Sequence, residues 1–300
     1  MSKNTHKNPQ KKQPNRTKTK KANTRITINK ILFIIFPGMG STIEYYKMND
    51  VNGRFDNKNP FLDELRKLGQ IYFVSHNWNN ISYYDENEKE EQHLYRSDVG
   101  FNLADLNMKS ICSKVYEDVK SFNGSFVLIG HSIGSFPLYY FSQTYASRCL
   151  CNFIIDGSLW GKFYIDNTEH NKLIKNCNKG ITNEQIQELI EKVKTYDQSA
   201  VNKLKNIISG CLEKQMPTNA KLLKVKTYSL RNLQINEDPG GNKDTDKMIQ
   251  IKIQAEDYFT KHNPELYKTK YLVNRTHMVF WNKEGRDNIL DIIRSTLSNK

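Results

Sequence analysis

Residues 125–140 read SFVLIGHSIGSFPLYY, and this stretch decides the fold. Residues 126–129 are a continuous apolar run of the kind found in strands buried on both faces, and residues 133–145 can form a buried helix. Between them Gly130, His131, Ser132, Ile133 and Gly134 spell GxSxG. So short a pattern arises by chance, and its setting has to decide. A strand before it and a helix after it make a sharp turn, in which glycines flank the serine because a side chain there would collide. Such a turn lifts the serine hydroxyl above the end of the sheet. Ser132 is therefore the expected nucleophile.

Outward from this turn, short apolar runs alternate with longer amphipathic stretches, which is the pattern of an α/β domain with a mostly parallel central sheet flanked by helices. The expected strands are 26–36, 71–75, 126–130, 151–156, 224–230 and 271–274. Ala104, Met108, Ile111, Val115, Val119 and Phe122 recur at steps of three and four, so the spacing predicts a helix over 98–122. Thr182 and Gln185 have capping-box spacing at the start of another, a further helix covers 201–212, and the last covers 283–297. Residues 158–221 are too long for an ordinary connection and read as a helical cap or lid inserted between two strands, or equally as a long crossover packed on the sheet. Trp160, Phe163 and Tyr164 at its start would give an apolar acyl pocket or pack inside the lid.

The composition sets the outer bounds. With 300 residues, 37% of them hydrophobic, the chain can build one sizeable core, and a wholly disordered chain is excluded. The longest clean apolar run, 31–36, is far short of the ~20 residues of a membrane span, and no apolar signal core opens the chain. Five cysteines without a CxxC pair imply neither a disulfide framework nor a zinc ribbon. The expectation is a soluble protein of a reducing, cytoplasmic compartment. The net charge of +13 is uneven: residues 1–25 hold nine basic side chains and no acidic one, so the 45 basic residues less those nine leave 36 against 32 acidic. That polar, lysine-rich tail cannot bury enough apolar surface to offset its ordering entropy and is expected to be disordered, with polyanions as its expected contacts.

A serine nucleophile needs two amides for the oxyanion. One belongs to Ile133, after the serine. The other falls in the turn Phe36, Pro37, Gly38, Met39, Gly40, Ser41 that ends the first strand, with Met39 as the choice. The base should be a histidine near the C-terminus, and His277 in YLVNRTHMVFW lies just past the last expected strand. His131 adjoins the expected nucleophile and cannot fold back onto it as a base; His76, ending the strand 71–75, is placed to line the pocket.

With these residues in this order the chain resembles the α/β-hydrolase superfamily over residues 26–300, in its lipase and esterase branches. The resemblance implies an eight-stranded, mostly parallel sheet, a serine triad in the order Ser, acid, His, a small-molecule or lipid ester substrate and no cofactor or metal. The turns PGMGS and GHSIGS and the segment VSH at 74–76 are similar to those of lipid-droplet-type lipid hydrolases, without fixing a substrate. Pro37 stands where many members carry the His of an HG turn. In members with a GxxD turn after the strand 224–230, the acid position falls on Asn232, which cannot carry charge. The acid is therefore expected at Asp238, before the turn Pro239, Gly240, Gly241, with Glu237 second and Asp156, after the strand 151–156, third. The rival readings are a catalytically inactive fold used as a binding module and a nucleic-acid-associated protein acting through its tail.

Overall fold

The computed structural model describes residues 30–39, 41, 43–51, 54–75, 106–157, 182–194, 198–216, 223–233, 246–272 and 277–298. The basic segment 1–25, His76, the aromatic trio at 160–164, Glu237 and Asp238 lie outside them. Six parallel strands form the main sheet: β1 (Ile31–Phe36), β4 (Gln70–Phe73), β5 (Ser125–His131), β6 (Cys149–Ile155), β7 (Thr227–Asn232) and β8 (Tyr267–Leu272), in the order β4-β1-β5-β6-β7-β8. The eight strands implied by the resemblance are six in this sheet among the described residues. Two further short strands, β2 (Asn49–Val51) and β3 (Arg54–Asp56), pair only with each other as an antiparallel hairpin.

The sheet is covered on both sides, which is why its strands read as unbroken apolar runs. Side chains of β1 alternate: Leu32, Ile34 and Phe36 join one buried cluster, whereas Ile31, Phe33 and Ile35 join the other. The first cluster includes the apolar faces of α2 (Met108–Val119) and α3 (Ser135–Thr144); the second includes α1 (Phe61–Arg66), residues 278–281 and α7 (Lys283–Ser298). Each side chain fully removed from water here contributes ~1.5–3 kcal/mol, so the two faces of β1 and β5 anchor the fold. Helix α2 begins where the Asn107 side chain accepts from the Ser110 amide at 3.0 Å. Between β6 and β7 run α4 (Asn183–Lys194) and α5 (Gln198–Lys214), whose apolar faces join the cluster of α2 and α3. The capping box is present: Thr182 N–H donates to Gln185 Oε1 at 3.1 Å, and Gln185 N–H donates to Thr182 Oγ1 at 3.3 Å.

Several elements depart from expectation. A helix not foreseen in the sequence, α6 (Asp246–His262), precedes β8. Its buried stripe includes Lys252 and Glu256 beside Ala255 and Phe259, so its apolar periodicity is interrupted by charge. Strand β8 begins four residues earlier than expected, because the exposed Lys268 and Lys270 conceal a strand at the sheet edge. Among the described residues, no helix is long and apolar enough to cross a membrane.

The order of strands places the site. From β1 the chain moves outward to β4, returns to β5 on the other side of β1, and then continues through β6, β7 and β8. The reversal lies between β1 and β5, and their C-terminal ends open the crevice where ligands of open α/β sheets bind.

Candidate active site

Ser132 follows β5 with φ of 52°, in the left-handed region that a residue with a Cβ rarely adopts. The two motif glycines explain how the turn closes. A Cβ at Gly130 would lie 2.9 Å from Leu138 Cδ1 and 3.1 Å from the Gly134 carbonyl oxygen. A Cβ at Gly134 would collide with the carbonyl oxygens of Phe36 and Pro37. The elbow is thus pressed directly onto the turn that ends β1. A single 3-10 turn, Ser132–Gly134, leads into α3, and Ser135 Oγ donates to the Ser132 carbonyl at 2.7 Å. At Gly38 a Cβ would come within 3.1 Å of Ser132 Cβ, so the Pro37, Gly38, Met39 turn passes beside Ser132.

The carboxylate on His277 is Asp156. His277 Nδ1 and Asp156 Oδ2 are 2.6 Å apart, and Asp156 lies just past β6 with φ of 40°, 3% exposed. This is the candidate ranked third in the sequence, behind Asp238 and Glu237, both of which fall outside the described residues. Asn232, which the register had put at the acid position on β7, supports Asp156 from the neighbouring strand by donating its backbone N–H to Oδ1 at 3.3 Å.

Asp156 is embedded in buried charge. Arg231 Nη1 lies 3.7 Å from Asp156 Oδ1 and donates to the Gly157 carbonyl, while Lys252 Nζ donates to the Asn232 carbonyl at 3.0 Å. Glu256 lies 3.7 Å from Arg231 Nε and accepts from Ser229, Tyr267 and Thr269 at 3.0, 2.8 and 2.9 Å. Burial alone would push the Asp156 carboxyl up; the charge and hydrogen bond of His277, with Lys252 and Arg231 behind it, hold it well below the usual carboxylate range. It is an anion at neutral pH.

His131, set aside in the sequence as a base, fills the space between these parts. Its ring is 1% exposed, 4.7 Å from the His277 ring and edge-on to Phe280 at 5.4 Å. Its Nε2 lies 3.1 Å from the His277 carbonyl. Burial, with the neighbouring His277 charge, pushes its pKa down to about 3, so the ring is neutral. A carbonyl only accepts, so Nε2 carries the proton and Nδ1 is a bare lone pair. Among the described residues no hydrogen bond joins Ser132 Oγ to His277. The GxSxG pattern gave no signal for this placement of His131; its position just before Ser132 was the one available hint. Arg231, Lys252 and Glu256 were not foreseen either. No group of three or more His, Cys, Asp or Glu side chains able to hold a metal occurs among the described residues.

No protein-family model matches the chain, and no curated protein matches it. Solved structures do. A hydrolase from Oleispira antarctica is similar with a TM-score of 0.50 at 12% identity, over 91% of this chain and 92% of its own. A structure from work on carboxylesterases of Nitrososphaera gargenis gives 0.49 at 11% identity, over 91% and 93%. The RedJ thioesterase of the prodiginine pathway of Streptomyces coelicolor gives 0.48 at 13%, over 89% and 90%. At such identities the likeness concerns architecture: the chain has the α/β-hydrolase fold.

Proposed function

We propose that this chain is a serine hydrolase that cleaves a carboxylic ester or thioester through an acyl-enzyme on Ser132. The observation that carries the reading is the juxtaposition of a serine in a left-handed elbow with a histidine already bonded to a buried carboxylate. Asp156 accepts the Nδ1 proton of His277 and so leaves Nε2 as the lone pair that faces substrate chemistry. His277 takes the proton of Ser132 as the hydroxyl attacks the carbonyl carbon, and returns it to the leaving alcohol or thiol. Water then repeats the sequence on the acyl-enzyme. The amides of Ile133 and Met39 bind the oxyanion, an assignment supported by the closeness of the Gly38 turn to Ser132. The Ser132–His277 hydrogen bond forms in the substrate complex, as such bonds commonly tighten only there. Asp156 takes the acid role that the sequence had lent to Asp238 and Glu237.

The substrate is a small-molecule or lipid ester. Of the two readings of the segment 158–221, cap or long crossover, the packing of α4 and α5 onto the cluster of α2 and α3 supports the crossover for the part they form. We propose a cytoplasmic location on the cysteine usage of the sequence, five cysteines without a CxxC pair or a disulfide-like spacing. Contact of residues 1–25 with polyanions is a separate reading, tested by whether any such binding weakens steeply with salt and disappears when those residues are removed. The test of the activity is labelling by a fluorophosphonate probe, followed by turnover of nitrophenyl esters of graded chain length. Wild-type protein should label and Ser132→Ala should not. A wild-type protein that neither labels nor turns over esters would make the fold a binding module instead.

A further inference from the structure

Packing alone does not account for an imidazole at position 131. An aliphatic side chain would fill the same buried volume without the desolvation cost of a ring whose Nδ1 has no hydrogen-bond partner among the described residues. What the imidazole supplies is one donor in one place. Its Nε2–H reaches the backbone carbonyl of His277, residue 131 is covalently next to Ser132, and its Nδ1 edge lies against Gly38, where a Cβ would be 3.0 Å away. One ring therefore touches the nucleophile's segment, the oxyanion turn and the base's segment at once. His277 is gripped twice, at its ring by Asp156 and at its carbonyl by His131. Fixing both the main chain and Nδ1 leaves its Nε2 little freedom of direction.

We infer that His131 is a positioning residue that sets the His277 imidazole relative to Ser132 by holding the His277 carbonyl. The inference rests on the reading of Ser132 and His277 as nucleophile and base. It takes no part in proton transfer, because its one proton is committed to a carbonyl and it touches no reacting atom.

The test compares His131→Leu with His131→Gln, whose side-chain amide can present a donor near the place of Nε2. Each is assayed for kcat and KM on a nitrophenyl ester and for the rate of fluorophosphonate labelling, with thermal melting to confirm folding. Loss of alignment near 1 Å costs about 100-fold. His131→Leu should therefore lower kcat and labelling rate by about 10- to 100-fold with KM changed less than about 3-fold. His131→Gln should recover most of that rate whether or not it recovers the melting temperature. A folded His131→Leu with wild-type kcat overturns the inference, as does a His131→Gln that is as slow as His131→Leu. A wild-type protein that fails to label overturns this inference together with the hydrolase reading. Should His131→Leu not fold, the Gln variant decides alone: a kcat within about 3-fold of wild type supports the role, and a 10-fold or greater loss in a well-folded Gln variant refutes it.

Discussion

Replacing Asp156 by Asn tests the site at the point where sequence and structure diverge. The substitution is nearly isosteric, and Asn tolerates the φ of 40° about as well as Asp does. An amide nevertheless cannot satisfy both neighbours. If its oxygen keeps accepting the Asn232 N–H, its NH2 faces His277 Nδ1, which must then give up its proton and leave Nε2 in the wrong tautomer. If the amide turns over, the NH2 faces the Asn232 N–H and the Arg231 guanidinium, donor against donor. The electrostatic part follows from Coulomb's law: an imidazolium and a carboxylate with charge centres ~4 Å apart, at an effective dielectric constant of ~20, attract by ~4 kcal/mol, or ~10³ in rate. With the tautomer penalty added, kcat should fall by about 10³ to 10⁴ while KM changes little. The assay is turnover at saturating nitrophenyl ester, with fluorophosphonate labelling falling in parallel. A folded Asp156→Asn within about 3-fold of wild type, alongside a collapse in Asp238→Asn or Glu237→Gln, would refute the geometry argued above.

Gly134→Ala should lower stability by about 3 kcal/mol or more and abolish labelling, since its Cβ would meet backbone carbonyls that cannot swing aside; an unchanged urea midpoint would contradict this. Arg231→Met should cost about 3–5 kcal/mol in urea unfolding by stripping Asp156 and Glu256 of a buried counter-charge, and Glu256→Gln in the same chain should restore part of it; a loss below about 1 kcal/mol would refute the coupling. The His131 pKa is lower folded than unfolded, so below its ordinary value of 6.5 the unfolded chain binds a proton that the folded one refuses, and stability falls as pH drops from there towards about 3. At ~1.4 kcal/mol per pH unit, wild-type protein should lose about 2 kcal/mol more than His131→Gln between pH 7 and pH 5, and equal losses would show that the ring is not buried neutral. The Asp156 carboxyl is also lowered on folding, here because its charged form is favoured: this gives stability that is present above its ordinary value of 3.8 and is lost as pH falls below it, so Asp156→Asn should flatten the stability curve below about pH 4.

The strand, turn and helix around Ser132 were legible because everything they need is local: an apolar strand, two glycines around a serine, and a helix start within ten residues. His277, the candidate base, was singled out for a related reason, since it lies just past the last expected strand, and its ring does meet a buried carboxylate. Which carboxylate was not legible. Its identity depends on β6 and β7 lying side by side, so that a residue past one strand and the amide of Asn232 on the other converge, and no spacing along the chain records that adjacency. The same strand pairing conceals Arg231, which reads in sequence as an ordinary basic residue at a strand end and is fully buried in the fold. Helix α6 was not legible because Lys252 and Glu256, part of the buried charge network around Arg231 and Asp156, occupy the face where hydrophobic periodicity looks for apolar residues. The hairpin of β2 and β3 has three residues per strand, mostly polar, below the length at which alternation is visible.

Ser132 and Asp156 share one trait: each stands past the end of one of two adjacent strands with a positive φ. At Ser132 the Cβ in that conformation costs ~1–2 kcal/mol that a glycine would not incur, whereas an aspartate visits the left-handed region more readily and Asp156 also balances the buried charge of Arg231 and Lys252. A lineage released from the need for chemistry could therefore drift towards glycine at position 132 and become sturdier in doing so, while position 156 would keep its carboxylate for the sake of the buried cations. The identity of the residue at position 132 thus serves as a record of selection. Among descendants of this chain, those that keep a strained serine there are the ones in which the proposed chemistry is still under selection.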